Sequence, residues 1–330
     1  MISIRILGTG HYVPPKTAIN EDYAEFVETS DEWISTRTGM KTRHIAVNEP
    51  VWYMGARAAK QAMDASGTMP ADIDMVLVTT TTSDFMTPAV SSIIQMELGI
   101  ENAVAFDINV ACSGFAVAMD MARRYLATGD MRRILVVGSE RLTQFVDYTD
   151  RATCVLFGDG AGAFVVEEAS GVYGSYRHTD INATPFIYCK RPTRTTPFGS
   201  PGPEGEKTPF PVTVLDNMYM NGREVYKYST QAMPEAIKKA CGKAGVSVAD
   251  LKMIFPHQAN LRILQTAAKN MDLPIERFGV NIEKYGNTSS ATIPICLDEH
   301  VRGGFVARGD LICLVGFGAG FIYAATVFEY

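Results

Sequence analysis

The sequence predicts an α/β protein made of two similar halves, each a β-sheet with its helices. Two observations carry that prediction. Short apolar runs at Val76-Leu77-Val78, Val104 to Ile108 and Ile134 to Val137 read as buried strands, with helical patterns between them. The plan then recurs. Ala71-Asp72-Ile73-Asp74-Met75-Val76 is echoed by Ala249-Asp250-Leu251-Lys252-Met253-Ile254, 178 positions later (249 against 71), and Gly129-Asp130 by Gly309-Asp310, 180 positions later (309 against 129). The halves are assigned to residues 1–172 and 173–330, and a functional site is expected between them.

Taken in order, Met1 to Gly10 has no basic n-region, no long apolar stretch and no small-residue cleavage site, so it reads as a first strand and secretion is not expected. Ala103 to Asn109 reads as a strand and Ser113 to Thr128 as a helix, with Phe115, Met119, Ala122 and Leu126 on one face, Arg123 and Arg124 off it, and Gly129 at its end. Cys112 sits at the junction. The partial positive charge and unpaired N–H groups of a helix start stabilise a thiolate, so a lowered thiol pKa is expected there, although a single cysteine in an apolar context is more often inert. Ser113-Gly114 lets the backbone approach a ligand closely.

Between Asn182 and Asp216, Pro185, Pro192, Pro197, Pro201, Pro203, Pro209 and Pro211 forbid a long helix or a central strand. A segment of that length is either a lid or a solvated connection. Lys252 to Phe255 predicts a strand, then Pro256-His257, then a helix from about Asn260, which puts His257 at the carboxyl end of a strand, where open α/β sheets place their sites. Tyr285 to Ser290, around Asn287, reads as a turn with helix-capping groups. Leu311 to Phe328 is long enough to span a bilayer, but Gly316, Gly318 and Gly320 interrupt it, and two buried strands around a tight turn are predicted instead.

Composition narrows the function classes. A chain of 330 residues with 47% hydrophobic and 20% charged residues buries a large core. A net charge of -6 without a Lys/Arg block offers no footprint for a nucleic-acid backbone. The six cysteines form no CxxC pair and no His lies at zinc-ligand spacing, which predicts reduced thiols in a cytoplasm and no metal site.

Taken together, Ala111-Cys112-Ser113-Gly114, Pro256-His257-Gln258-Ala259-Asn260, Gly286-Asn287-Thr288-Ser289 and Gly316-Phe317-Gly318-Ala319-Gly320 resemble the β-ketoacyl-acyl-carrier-protein synthase III family of thiolase-like condensing enzymes. Asp31-Glu32-Trp33-Ile34, Arg37-Thr38-Gly39, Asp150-Arg151 and Phe157-Gly158-Asp159-Gly160-Ala161-Gly162 extend the resemblance along nearly the whole chain. It implies a thiolase-like fold, with mixed sheets packed around buried helices, in a homodimer that uses no cofactor beyond its acyl-CoA substrate. Cys112 would take the acyl group and pass it to malonyl-acyl-carrier protein, initiating fatty acid biosynthesis. The backbone N–H groups of Cys112 and Ala319 would hold the oxyanion, and His257 and Asn287 the enolate left after decarboxylation.

The resemblance also implies an adenine stacked between Trp33 and Arg151 with Arg37 nearby, a carrier-protein patch of Lys227, Arg262 and Lys269, and an acyl pocket touched by Phe157 and by residue 87. Many members that take short primers have Phe at that last position, inserted from the dimer partner. Thr87 stands there in this chain, with Phe85 two positions earlier, so a longer or branched primer is expected. Acyl transfer to another acceptor, or priming of a polyketide or aryl-lipid pathway, is the alternative reading.

Overall fold

A computed structural model describes residues 2–190, 197, 199, 210 and 217–330. The segment 182–216, expected to be either a lid or a solvated connection, therefore falls largely outside the described residues.

Two mixed sheets form the frame. The first runs Ile2–Tyr12, Asp159–Ser170, Arg133–Arg141, Met75–Thr79, Val104–Ile108, and the second runs Tyr173–Thr179, Ile322–Glu329, Leu311–Gly318, Met253–Pro256. Read from these ends, each begins with two antiparallel pairings followed by a parallel one. Even the register repeats: Met75 lies opposite Ile134 and Met253 opposite Ile312, both 178 positions on (253 against 75, 312 against 134). The chain passes from one sheet to the other between Ser170 and Tyr173.

Apolar runs without alternation mean burial on both faces, and the packing follows. Met75 and Leu77 point inward to a core that also holds Phe115 and Met119 of the helix Gly114–Leu126, Ile293 and Leu297 of the helix Thr292–Arg302, and Phe255 and Leu314 of the second sheet. These two helices lie between the sheets. Val76 and Val78 point outward under Val51–Ser66 and Val90–Glu97. The outer face of the second sheet is covered by Gly222–Ala244 and Leu261–Asn270, the latter starting where expected and capped by Asn260, whose Oδ1 accepts from Arg262 N at 2.9 Å. Leu311–Gly318 and Ile322–Glu329 are paired strands, and no helix among the described residues is long and apolar enough to cross a membrane.

Each central helix is entered through the same strained turn. Ala111–Ser113 precedes Gly114 and Ser289–Ala291 precedes Thr292, with Ala111 at φ 46° and Ser289 at φ 51°. A residue with a side chain in that region carries strain of about 1–3 kcal/mol, which the surrounding packing must hold.

Candidate active site

The two turns meet at a cavity of about 1280 Å³ between the halves, lined by Cys112, His257 and Asn287 together with Phe157, Ser289, Phe317, Gly318 and Ala319. Cys112 stands on the first turn, and the second sheet approaches it through glycines. A methyl group on Gly318 would lie 2.7 Å from the Cys112 amide nitrogen, and one on Gly316 2.7 Å from Ser113 Cα. Both approaches require glycine.

The thiol itself corrects a sequence expectation. Desolvation, together with the nearby Glu140 charge, pushes the thiol of this half-buried residue up to about 12, against the Ser289 hydroxyl and the cysteine's own backbone N–H, which favour the thiolate. The resting group is therefore the thiol, and a proton must leave it before it can attack.

His257 ends the strand Met253–Pro256 and is 1% exposed. Burial pulls its imidazole down to about 3, against a weaker opposing bond with the Ser289 backbone, so the ring is neutral. The Phe317 ring packs against it in a T-shaped arrangement with centroids 5.2 Å apart. His257 Nδ1 lies 2.8 Å from Thr292 Oγ1, which donates to Ser289 O at 2.8 Å. Thr292 has one hydrogen. While it is donated to Ser289 O, Nδ1 carries the imidazole proton; turned to Nδ1, it leaves that proton on Nε2 as a donor.

Asn287 is fixed by its neighbours. Its backbone bonds to Leu156 O and Gly158 N beside Phe157, and its Oδ1 accepts from Ser289 N at 2.8 Å. That bond fixes the amide orientation and leaves both Nδ2 hydrogens for other acceptors. With that hydrogen turned, the cavity holds the Cys112 sulfur together with two neutral groups that can donate. An imidazole pulled so far down and an amide are poor bases, but they can hold a developing oxyanion.

Other expected residues are distributed as follows. Trp33 and Arg37 line the cavity mouth, and the guanidinium carbons of Arg37 and Arg151 each lie 4.5 Å from the Trp33 ring centroid. Arg151 also donates to Glu28 O at 2.7 Å. With Arg151 directly on the indole, a base inserted between them must move the guanidinium aside. Arg262 is exposed at the mouth, while Lys227 and Lys269 are exposed on the two neighbouring helices, which are joined by Asn270 Nδ2 donating to Thr230 O at 3.1 Å. Phe157 is 4% exposed and lines the cavity. Thr87 is exposed and does not line the cavity of its own chain, whereas Phe85 and Met86 do.

Sequence reasoning missed Thr292 and Glu140. Thr292 had no signal except its place after the Asn287 turn, and Glu140 lies beyond the expected strand Ile134 to Val137 with no motif to mark it. Among the described residues no group of three or more His, Cys, Asp or Glu is placed to hold a metal ion.

Comparison with known proteins points to one family. Residues 106–183 match the family described as 3-oxoacyl-[acyl-carrier-protein (ACP)] synthase III, and residues 241–330 match its C-terminal part. The chain is 41% identical over 332 residues to a β-ketoacyl-[acyl-carrier-protein] synthase III of Clostridium acetobutylicum, covering 100% of this chain and 99% of the relative. The crystal structure of 3-oxoacyl-[acyl-carrier-protein] synthase III from Aquifex aeolicus superposes with a TM-score of 0.89 at 36% identity, covering 99% of this chain and 100% of that one. The priming β-ketosynthase of the R1128 polyketide pathway superposes with a TM-score of 0.89 at 34% identity, covering 99% and 96%.

Proposed function

The chain belongs to the 3-oxoacyl-[acyl-carrier-protein] synthase III family, and from that premise we propose which of its residues carry the reaction. The reaction is the decarboxylative condensation of an acyl-CoA primer with malonyl-acyl-carrier protein, which initiates fatty acid biosynthesis. The observation that carries the assignment is the meeting of Cys112, His257 and Asn287, from three distant stretches of chain, on one cavity.

In the first half-reaction the Cys112 sulfur attacks the thioester carbonyl of acyl-CoA. The oxyanion is held by the N–H groups of Cys112 and Ala319, and coenzyme A leaves as its thiol. In the second, His257 Nε2–H and the Asn287 amide donate to the thioester carbonyl of the malonyl group. Carbon dioxide leaves, and the enolate attacks the acyl carbon on Cys112. Decarboxylation makes the carbanion without a base, which suits two donors that are neutral at working pH. The cavity exceeds the common ~300–1,000 Å³ range for ligand pockets, as a site for an acyl chain and a long thioester arm requires.

Trp33, Arg37 and Arg151 then bind the adenine end of coenzyme A, with Arg151 swinging off the indole to admit it. Lys227, Arg262 and Lys269 meet the acidic carrier protein. Two halves, 1–172 and 173–330, contribute the nucleophile and the donor pair respectively. The protein works as a cytoplasmic homodimer without a further cofactor, and each chain presents residue 87 to its partner's acyl pocket.

The test is intact-mass analysis after incubation with coenzyme A thioesters from acetyl to lauroyl, before and after malonyl-acyl-carrier protein is added. An adduct that vanishes as ketoacyl-carrier product forms is the expected result. Because Thr87 removes the volume of a Phe and each buried methylene is worth about 0.8 kcal/mol, a longer or branched primer is expected to load faster than acetyl. An acetyl primer that beats all others sinks that specificity reading. An adduct stable to malonyl-acyl-carrier protein points to another acceptor, a reading that the R1128 likeness keeps open.

A further inference from the structure

Resting on the assignment of Cys112 as nucleophile, we propose that Glu140 is the proton acceptor that arms it, reached through the Ser289 hydroxyl. Glu140 is 0% exposed and lies behind the cavity wall. Unlike Asp120 and Asp298, which pair with arginines, it has no cationic partner among the described residues. Neutral donors hold it instead. Oε2 accepts from Thr80 Oγ1 at 3.3 Å, Thr81 N at 3.0 Å, Thr81 Oγ1 at 3.1 Å and Thr82 Oγ1 at 2.8 Å. Oε1 faces Ser289 Oγ at 3.1 Å and Ser290 Oγ at 2.8 Å.

Ser289 stands between the two groups, since its hydroxyl donates to Oε1 and it lines the cavity with Cys112, whose thiolate it favours. The transfer balances. Ser289 gives its hydrogen to Oε1 and takes the hydrogen of the thiol, so one S–H bond breaks and one O–H bond forms. The new Ser289 O–H then points at the thiolate. The new Oε1–H also finds an acceptor: Ser290 Oγ can receive it while turning its own hydrogen to Thr79 O, 3.1 Å away. Once the sulfur is acylated, the departing coenzyme A thiolate takes the proton back through Ser289, and Glu140 is ionised again.

Charge accounting favours this route over His257. Moving a proton from Cys112 to Glu140 leaves one negative charge in the buried site, as before. Moving it to His257 creates a separated cation and anion where desolvation already opposes the imidazolium. Burial raises the Glu140 carboxyl above the usual carboxylate range, which brings it closer to the thiol. The other groups facing Glu140 do not compete. They are the hydroxyls of Thr80 to Thr82, Ser289 and Ser290. The adjacent Arg141 aims its guanidinium at Ala46 O and Val47 O, and Asp159 across the ladder is held by Thr143. Glu140 touches no substrate. It acts through Ser289.

The test uses the full chain and rapid-quench mass analysis of acyl loading, with an acyl-CoA that the wild type accepts, from pH 6 to 9. The wild-type loading rate should be nearly level, because the proton stays inside. Glu140→Gln should load about 100-fold more slowly at pH 7 and gain nearly tenfold per pH unit as solvent base replaces the carboxylate. Ser289→Ala should do the same while keeping every other Glu140 contact. Alanine is tolerated in that backbone conformation, as Ala111 demonstrates, so this variant also covers a misfolded Glu140→Gln. Loading within threefold of wild type in either folded variant, or a uniform loss at every pH, overturns the relay. A wild type that forms no Cys112 adduct instead overturns the nucleophile assignment beneath it.

Discussion

Cys112→Ala is expected to separate the two half-reactions. Acyl loading should disappear and condensation should fall by about 10⁵-fold or more, the scale seen when a covalent nucleophile is removed. Release of carbon dioxide from malonyl-acyl-carrier protein should stay within about tenfold of wild type. The reason is local. Asn287 is fixed by Leu156, Gly158 and Ser289, and His257 by Thr292 and Phe317, and none of these contacts uses the sulfur. Radiolabelled carbon dioxide release beside intact-mass loading measures both. Loss of decarboxylation together with loading would mean that the thiol takes part in both steps.

His257→Ala should give the reverse pattern, with loading within about tenfold and decarboxylation down about 10²–10³-fold, the usual effect of removing one oxyanion donor. The same variant has a signature in stability. The unfolded imidazole takes up a proton near pH 6.5, whereas the folded one does not until about pH 3. The unfolded chain thus binds more protons between these values. Stability from this group is fully present above about pH 6.5 and is lost as pH falls, by about 1.4 kcal/mol per unit. Urea midpoints at pH 7 and pH 5 should therefore fall further for wild type than for His257→Ala. Equal falls would mean that the ring is not buried neutral. Decarboxylation itself should be level from pH 5 to 9, because His257 does not titrate in that range.

The frame of the molecule was legible in the sequence because its signals are local. Val76, Val78 and their neighbours are buried on both faces, so they read as unbroken apolar runs, and the duplicated Ala-Asp entry turns announced the second sheet. Cys112, His257 and Asn287 stood out through the motifs around them. The thiol pKa was misjudged because a helix end is visible in a sequence and the depth of protein around a sulfur is not. Thr292 and Glu140 were invisible for a similar reason. Their partners lie 35 residues away for Thr292 and as far as 150 for Glu140, and neither belongs to a turn or capping pattern of its own. The position of Phe85 and Met86 at the cavity, with Thr87 outside, depends on a loop path that no periodicity encodes.

The constant spacing of the two halves also sets Cys112 opposite a silent counterpart. Counting 178 positions on, Ser290 answers to Cys112, and Glu140 precedes Gly318 by the same interval. The contacts answer too: a methyl group on Gly138 would lie 2.9 Å from Ser290 O, and one on Gly316 3.1 Å from Cys112 O. Where the second sheet stays bare beside Cys112, the first sheet carries a carboxylate already seated against Ser290. Each chain therefore holds twin chairs of common design with one permanently taken. Of the two like turns only one carries a thiol, and the carboxylate seated against the other is free to serve its neighbour.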